Sequence, residues 1–109
     1  MTFKEYQKLS RKTAIYPGVG KNFVYPALGL SGESGEVAEI VKRIIREKKG
    51  LIDKESKKAI SKELGDVLWY LTQLAAEFNI SLEEIAKQNI EKLKSRKVRG
   101  LLHGKGSNR

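Results

Sequence analysis

Two long segments of this chain carry apolar residues at helical spacing, and no segment sustains the apolar–polar alternation of a strand. Val37, Ile40, Val41, Ile44 and Ile45 recur at the positions one face of a helix presents. Ile60, Leu64, Val67, Leu71, Leu74 and Phe78 do the same over five turns. Gly50 stands where the first of these helices must stop, as a residue able to take the left-handed conformation. Asp53 is placed to cap the next helix. The pattern predicts a helix from about 27–33 to 48 and another from 53 to 78. Residues 2–15, with Phe3, Tyr6, Leu9 and Ala14, form a weaker amphipathic helix. Pro17 and Pro26 bracket a loop, YPGVGKNFVYP. Ser81 with Glu84 three residues on makes a capping box for a helix over 82–97. The expectation is all-α: an antiparallel four-helix bundle.

At 109 residues the chain reads as a single domain, 1–109, with a helical core over about 27–97 and a basic, glycine-containing tail over 98–109. A core this small is often completed by other copies of the chain, so oligomerisation is expected. There is no Cys, which excludes disulfides and thiolate metal sites. No apolar run approaches the roughly 20 residues of a membrane span, and the N-terminus has no signal-like core, so a soluble, cytoplasmic protein is expected. The net charge of +9 is uneven: residues 1–25 and 81–109 carry the basic excess, and residues 26–80 balance. Basic ends suit a polyanionic partner, a nucleotide or a nucleic acid, or serve solubility alone.

The acids of the balanced middle are placed with more point. On a wheel of about 100° per residue, Glu33 lies within about 20° of the direction shared by Ile40 and Ile44, and Glu36 sits at the edge of that stripe. On the next helix Glu63 and Asp66 flank the apolar stripe, with Tyr70 between them on the same flank. Glu39, Lys42 and Arg46 face away, as solvated charges do. Carboxylates near a helical core are costly unless their lost hydration is replaced. One or two hard divalent cations would replace it, and oxygen-only ligands favour Mg²⁺, or Mn²⁺ in its place, over zinc. The alternative is that the four border the core and reach solvent. On the last helix Asn89 falls within the apolar stripe of Leu82, Ile85, Ala86 and Leu93, with Lys92 and Arg96 to one side. A carboxylate cage, an amide and two cations are what a metal-bound triphosphate requires.

The segment GESGEVAEIV followed by KELGDVLWYL closely resembles the MazG-like family of all-α nucleoside triphosphate pyrophosphohydrolases. The family pattern is E-x-x-E, a spacer, then E-x-x-D. Here it reads Glu33-Ser-Gly-Glu36 and Glu63-Leu-Gly-Asp66, with 26 residues between. The later NIEKLKSR resembles the family's N-x-x-K-x-x-x-R segment. The resemblance covers about residues 27–97. It implies Mg²⁺ held by Glu33, Glu36, Glu63 and Asp66, which are also the catalytic residues, one of them a general base for a metal-activated water. It implies that Lys92 and Arg96 face phosphates and that Asn89 orients a ligand or the substrate. The implied reaction converts a nucleoside or deoxynucleoside triphosphate to the monophosphate and pyrophosphate. Homodimers or homotetramers that build the site between subunits are implied as well. The tail departs from the family, with Lys105 and Ser107 where a small polar and an acidic residue are expected.

Tyr70, on the carboxylate flank, is a candidate to stack on a base or bond a sugar, or a core residue with a wet hydroxyl. Trp69 projects about 120° from Glu63, off the stripe, and is expected at a subunit contact. His103 reads as solvated, and the tail glycines with Arg99, Lys105 and Arg109 as a phosphate nest or a plain loop. A basic helical nucleic-acid-binding module is the competing class, disfavoured because it has no use for inward carboxylates. A nucleotide-sensing pseudoenzyme is a third.

Overall fold

The computed structural model describes residues 1–100. They form four helices: α1 (Phe3–Arg11), α2 (Val24–Lys48), α3 (Lys54–Glu77) and α4 (Leu82–Arg99). The described residues contain no strand. No helix among them is long and apolar enough to cross a membrane. The tail residues beyond 100, including His103, Lys105, Ser107 and Arg109, lie outside the described residues.

Local chemistry sets most boundaries. At the start of α1, Thr2 and Glu5 exchange side-chain and backbone bonds at 3.0 and 3.1 Å, a reciprocal cap. Asp53 accepts the Ser56 N–H at 2.8 Å, as its spacing predicts. Ser81 accepts the Glu84 N–H at 3.2 Å, but the Glu84 carboxylate takes Gln88 instead of returning to Ser81, so only half of the expected capping box forms. α2 ends through Lys49 and Gly50, both left-handed, with the Gly50 N–H returning to the Ile44 carbonyl.

Two boundaries differ from the sequence reading. α1 stops at Arg11 rather than near residue 15, because the Thr13 hydroxyl takes the Ser10 carbonyl at 2.6 Å and the next turns close as i→i+3. α2 begins before Pro26 rather than after it. A proline is tolerated in a first helical turn, where its missing N–H would have had no partner, and Asn22 Oδ1 takes the Tyr25 N–H instead.

α2 and α3, joined through residues 49–53, form the extended helical hairpin at the centre of the molecule. α1 lies against α3 and also against α4, and no comparable packing joins α4 to the hairpin. The four expected helices are present, but a single chain does not wrap all four around one axis. The radius of gyration is 16.7 Å, against about 13 Å for a compact domain of this size. Leu28, Val41, Ile45 and Leu64 remain exposed, so the apolar stripes are broader than one chain covers.

Apart from Pro26, the deepest positions are polar. Gln73 and Thr72 are fully buried. Thr72 bonds the Leu68 carbonyl at 2.7 Å. Gln73 donates to Ser10 at 3.1 Å and accepts from Arg11 at 3.2 Å. Gln7 fastens the α3–α4 turn, donating to the Ile80 carbonyl and accepting the Leu82 N–H. The strongest convergence is on Glu77, whose side chain is 1% exposed. It accepts bonds from the Arg11 guanidinium, the Tyr16 hydroxyl and the Gly20 and Asn22 amides. Burial pushes this carboxyl up, but the bonds from Tyr16, Arg11 and the two amides outweigh it and hold its pKa at about 2, below the usual 4.5.

That depression has a stability consequence. The folded state binds the Glu77 proton less readily than the unfolded chain does. Its contribution is therefore complete above about pH 4.5 and is lost as pH falls towards about 2. Denaturant midpoints across this range should show wild type losing up to about 3 kcal/mol relative to Glu77→Gln. Parallel curves for the two proteins would contradict the assignment.

Candidate active site

The carboxylate site lies where α2 and α3 face each other near the middle of the hairpin. The structure brings Glu33 of α2 together with Glu63 and Asp66 of α3: one carboxylate oxygen from each lies within 4.8 Å of the others. Glu33 and Glu63 are half-buried and Asp66 is open to solvent. Glu36, one turn beyond Glu33, is exposed and stands outside this group of three.

The electrostatics are those of a site short of positive charge. The Glu33 carboxyl is raised above its ordinary value, first by a shared hydrogen bond with Glu63, then by burial and by the charges of Glu63, Asp66 and Glu36. None of the ion pairs among the described residues involves the cluster. Glu63 Oε2 is buried without a hydrogen-bond partner among them. An acceptor is seldom left so unless something further binds it. The donor set is all oxygen, so the residues present fit a hard divalent cation such as Mg²⁺ or Mn²⁺.

Beside the carboxylates is a cleft of about 390 Å³ lined by Thr13, Glu33, Asp66, Trp69 and Tyr70. Tyr70 is held hard against α2. A Cβ added at Gly29 would sit 2.2 Å from its ring, so this helical glycine exists to admit the tyrosine. Burial, then Tyr25 and the nearby acids Glu33 and Asp66, raise the Tyr70 hydroxyl's pKa, which keeps it a donor.

Trp69 finds its partners within the chain. Its indole N–H donates to Thr13 at 2.8 Å. Its ring meets Tyr70 edge-on at 5.1 Å and Tyr16 at 6.3 Å. The subunit contact expected for Trp69 from its off-stripe position is thus not needed to cover it, because the loop after α1 folds back over that flank. Tyr16 in turn stacks on Tyr25 at 5.2 Å, and Tyr25 approaches Tyr70 at 6.5 Å.

The α4 candidates are placed elsewhere. Asn89 and Lys92 are exposed, Arg96 is buried, and none of the three lines the cleft. α4 packs on α1, and Asn89, the amide expected to need buried partners, is exposed there.

Thr13, Tyr16, Tyr25 and Glu77 were not singled out by sequence. Both tyrosines stand immediately before a proline: Tyr16 lies in the loop, where Pro17 biases it to extended backbone, whereas Tyr25 is already in the first turn of α2. An acid in the last turn of a helix opposes the helix dipole, and for Glu77 this was a legible sign of a strong partner.

Two measurements follow from this geometry. In the absence of divalent cations, Glu63→Gln should raise stability by about 1 kcal/mol by relieving like-charge repulsion, and added Mg²⁺ should stabilise wild type but not the variant. Gly29→Ala should destabilise by about 1–3 kcal/mol through its clash with Tyr70. Gly35→Ala, whose added Cβ meets nothing, should gain up to about 1 kcal/mol in helix propensity. Denaturant unfolding reads both pairs, and equal midpoints within either would refute its geometric premise.

The family model of the MazG nucleotide pyrophosphohydrolase domain matches residues 26–100. The chain is also 44% identical over 109 residues to the Gene 37 protein of Mycobacterium phage L5, covering 95% of this chain and 96% of that protein. No solved structure matches. The paired acidic turns on α2 and α3 and the matched span agree: this chain belongs to the MazG nucleotide pyrophosphohydrolase domain family.

Proposed function

We propose that the chain hydrolyses a nucleoside or deoxynucleoside triphosphate to the monophosphate and pyrophosphate, with Mg²⁺ as cofactor. The observation that carries this reading is the carboxylate trio with its orphaned Glu63 oxygen, opening beside an aromatic cleft in a chain of this family. Glu33, Glu63 and Asp66 would hold the metal, with the exposed Glu36 reaching in from the next turn as a fourth ligand. A bound Mg²⁺, or Mn²⁺ in its place, would neutralise phosphate oxygens and lower the pKa of a water. One of the four carboxylates takes the proton from the attacking water as its oxygen bonds to the α-phosphorus and the α–β bridging bond breaks. Tyr70 and the neighbouring Trp69 offer flat surfaces to the nucleoside.

In this reading Lys92 and Arg96 face the substrate's phosphates and Asn89 orients a ligand or the substrate, although α4 packs on α1 within one chain. A homodimer or homotetramer answers both needs. It would bring a second copy's α4 to the cleft and cover the exposed Leu28, Val41, Ile45 and Leu64.

Asp66→Asn and Glu36→Gln should each lower Mg²⁺-dependent turnover by at least about 100-fold while far-UV circular dichroism stays helical. The assay is a panel of triphosphates with products separated, and monophosphate and pyrophosphate should form in equal amounts. Light scattering on the active protein should give a multiple of the 12.3 kDa chain mass. Release of single phosphate would refute the α–β cleavage, undiminished turnover in both variants would refute the metal assignment, and a monomer mass would refute the shared site.

A further inference from the structure

We infer that Glu77 is a positioning residue for nucleotide binding: from the far end of α3 it sets the aromatic side of the cleft by pinning residues 12–22. The inference rests on the pyrophosphohydrolase reading, and it concerns a residue that touches no part of the cleft. Glu77 lies eleven positions beyond Asp66 on the same helix, about 16 Å along its axis. Its influence must therefore pass through the loop.

The path is continuous. One Glu77 oxygen accepts from the Tyr16 hydroxyl, from Arg11 Nη2 at 2.8 Å and from the Gly20 N–H at 2.8 Å. The other accepts the Asn22 N–H at 2.9 Å. Tyr16, fixed at its hydroxyl, stands edge-on to Trp69 and stacked on Tyr25 with ring planes 10° apart. Asn22, fixed at its backbone, donates to the Pro17 carbonyl and accepts the Tyr25 N–H, which closes the loop and sets the entry to α2. Trp69 and Tyr70 line the cleft itself, together with Thr13 from the pinned segment.

Four donors converge on one group, and only a carboxylate accepts them all. A glutamine would turn an amide N–H₂ towards at least one of these donors and lose its bond. The loop would then be held by fewer contacts, and Tyr16 would no longer fix the Trp69 ring. The carboxylate trio stands on α2 and α3 and is not bonded to the loop, so the chemical step should be spared.

Trp69 is the chain's sole tryptophan, so its emission reports the loop without reference to activity. In Glu77→Gln, at a temperature where both proteins are fully helical, Trp69 emission should shift to the red and become more open to acrylamide quenching. KM for the nucleoside triphosphate should rise about tenfold while kcat stays within about twofold. Tyr16→Phe keeps the rings and removes one of the four bonds, so it should move both readouts the same way by less. It also stands in if Glu77→Gln fails to fold. Wild-type-like emission and KM in the variants would overturn the inference, as would a loss confined to kcat. Wild type lacking turnover on every triphosphate would sink the functional reading instead, while the Trp69 shift would still report the pinned loop.

Discussion

A single buried carboxylate, Glu77, fixes how the N-terminal quarter of the chain meets the rest. α2 and α3 associate along their length through apolar faces, but that packing says nothing about where α1 and the loop after it should lie. Direction comes from hydrogen bonds. Arg11 arrives from α1, Tyr16 and two backbone amides from the loop, and all end on Glu77. Neighbouring polar side chains extend the same arrangement: Gln73 reaches Ser10, and Gln7 holds the α3–α4 turn. Removing a charged hub would leave buried donors without acceptors, a larger cost than losing any one bond.

The two carboxylate environments in the molecule make an instructive contrast. Glu77 is saturated with donors and is held ionised. Glu33 shares its neighbourhood with other acids and is held closer to neutrality. The same kind of side chain thus serves as a structural anchor where the fold supplies donors. Where acids face acids, at Glu33, Glu63 and Asp66, one buried oxygen, Glu63 Oε2, is left without a partner among the described residues.

Much of this was legible from residue spacing. The helical period, the Asp53 and Ser81 caps and the Gly50 stop locate three helices to within a few residues, because each is a local matter of propensity and orphan backbone groups. The wheel turns Glu33, Glu36, Glu63 and Asp66 toward the packing zone for the same reason, and the structure gathers three of them while Glu36, at the edge of its stripe, is exposed. Asn89 and Trp69 were harder to read. A wheel shows which face of a helix is apolar but not which helix will cover it. For α4 that is α1 rather than the hairpin, and for Trp69 it is the returning loop. An acid in the last turn of α3 signals that Glu77 has a strong partner, but a pattern within one helix cannot name donors at positions 11 to 22, far away in sequence. The early stop of α1 turned on one hydroxyl, Thr13, competing for a backbone carbonyl.

The polar character of the deepest positions has a thermal consequence. Heat capacity rises on unfolding in proportion to the apolar surface that becomes wet and is lowered by the polar surface. Here the fully buried side chains include Gln73 and Thr72, while Leu28, Ile45 and Leu64 are already wet in the folded chain. The heat-capacity increment of a single chain should therefore fall below the usual range of about 12–15 cal/mol/K per residue. A small increment makes the stability curve broad and shallow, so warming or cooling by tens of degrees changes the free energy of the lone chain gently. Covering those leucines and isoleucines with a further protein surface would steepen the curve, and its curvature would become a measure of how much apolar surface had been sealed.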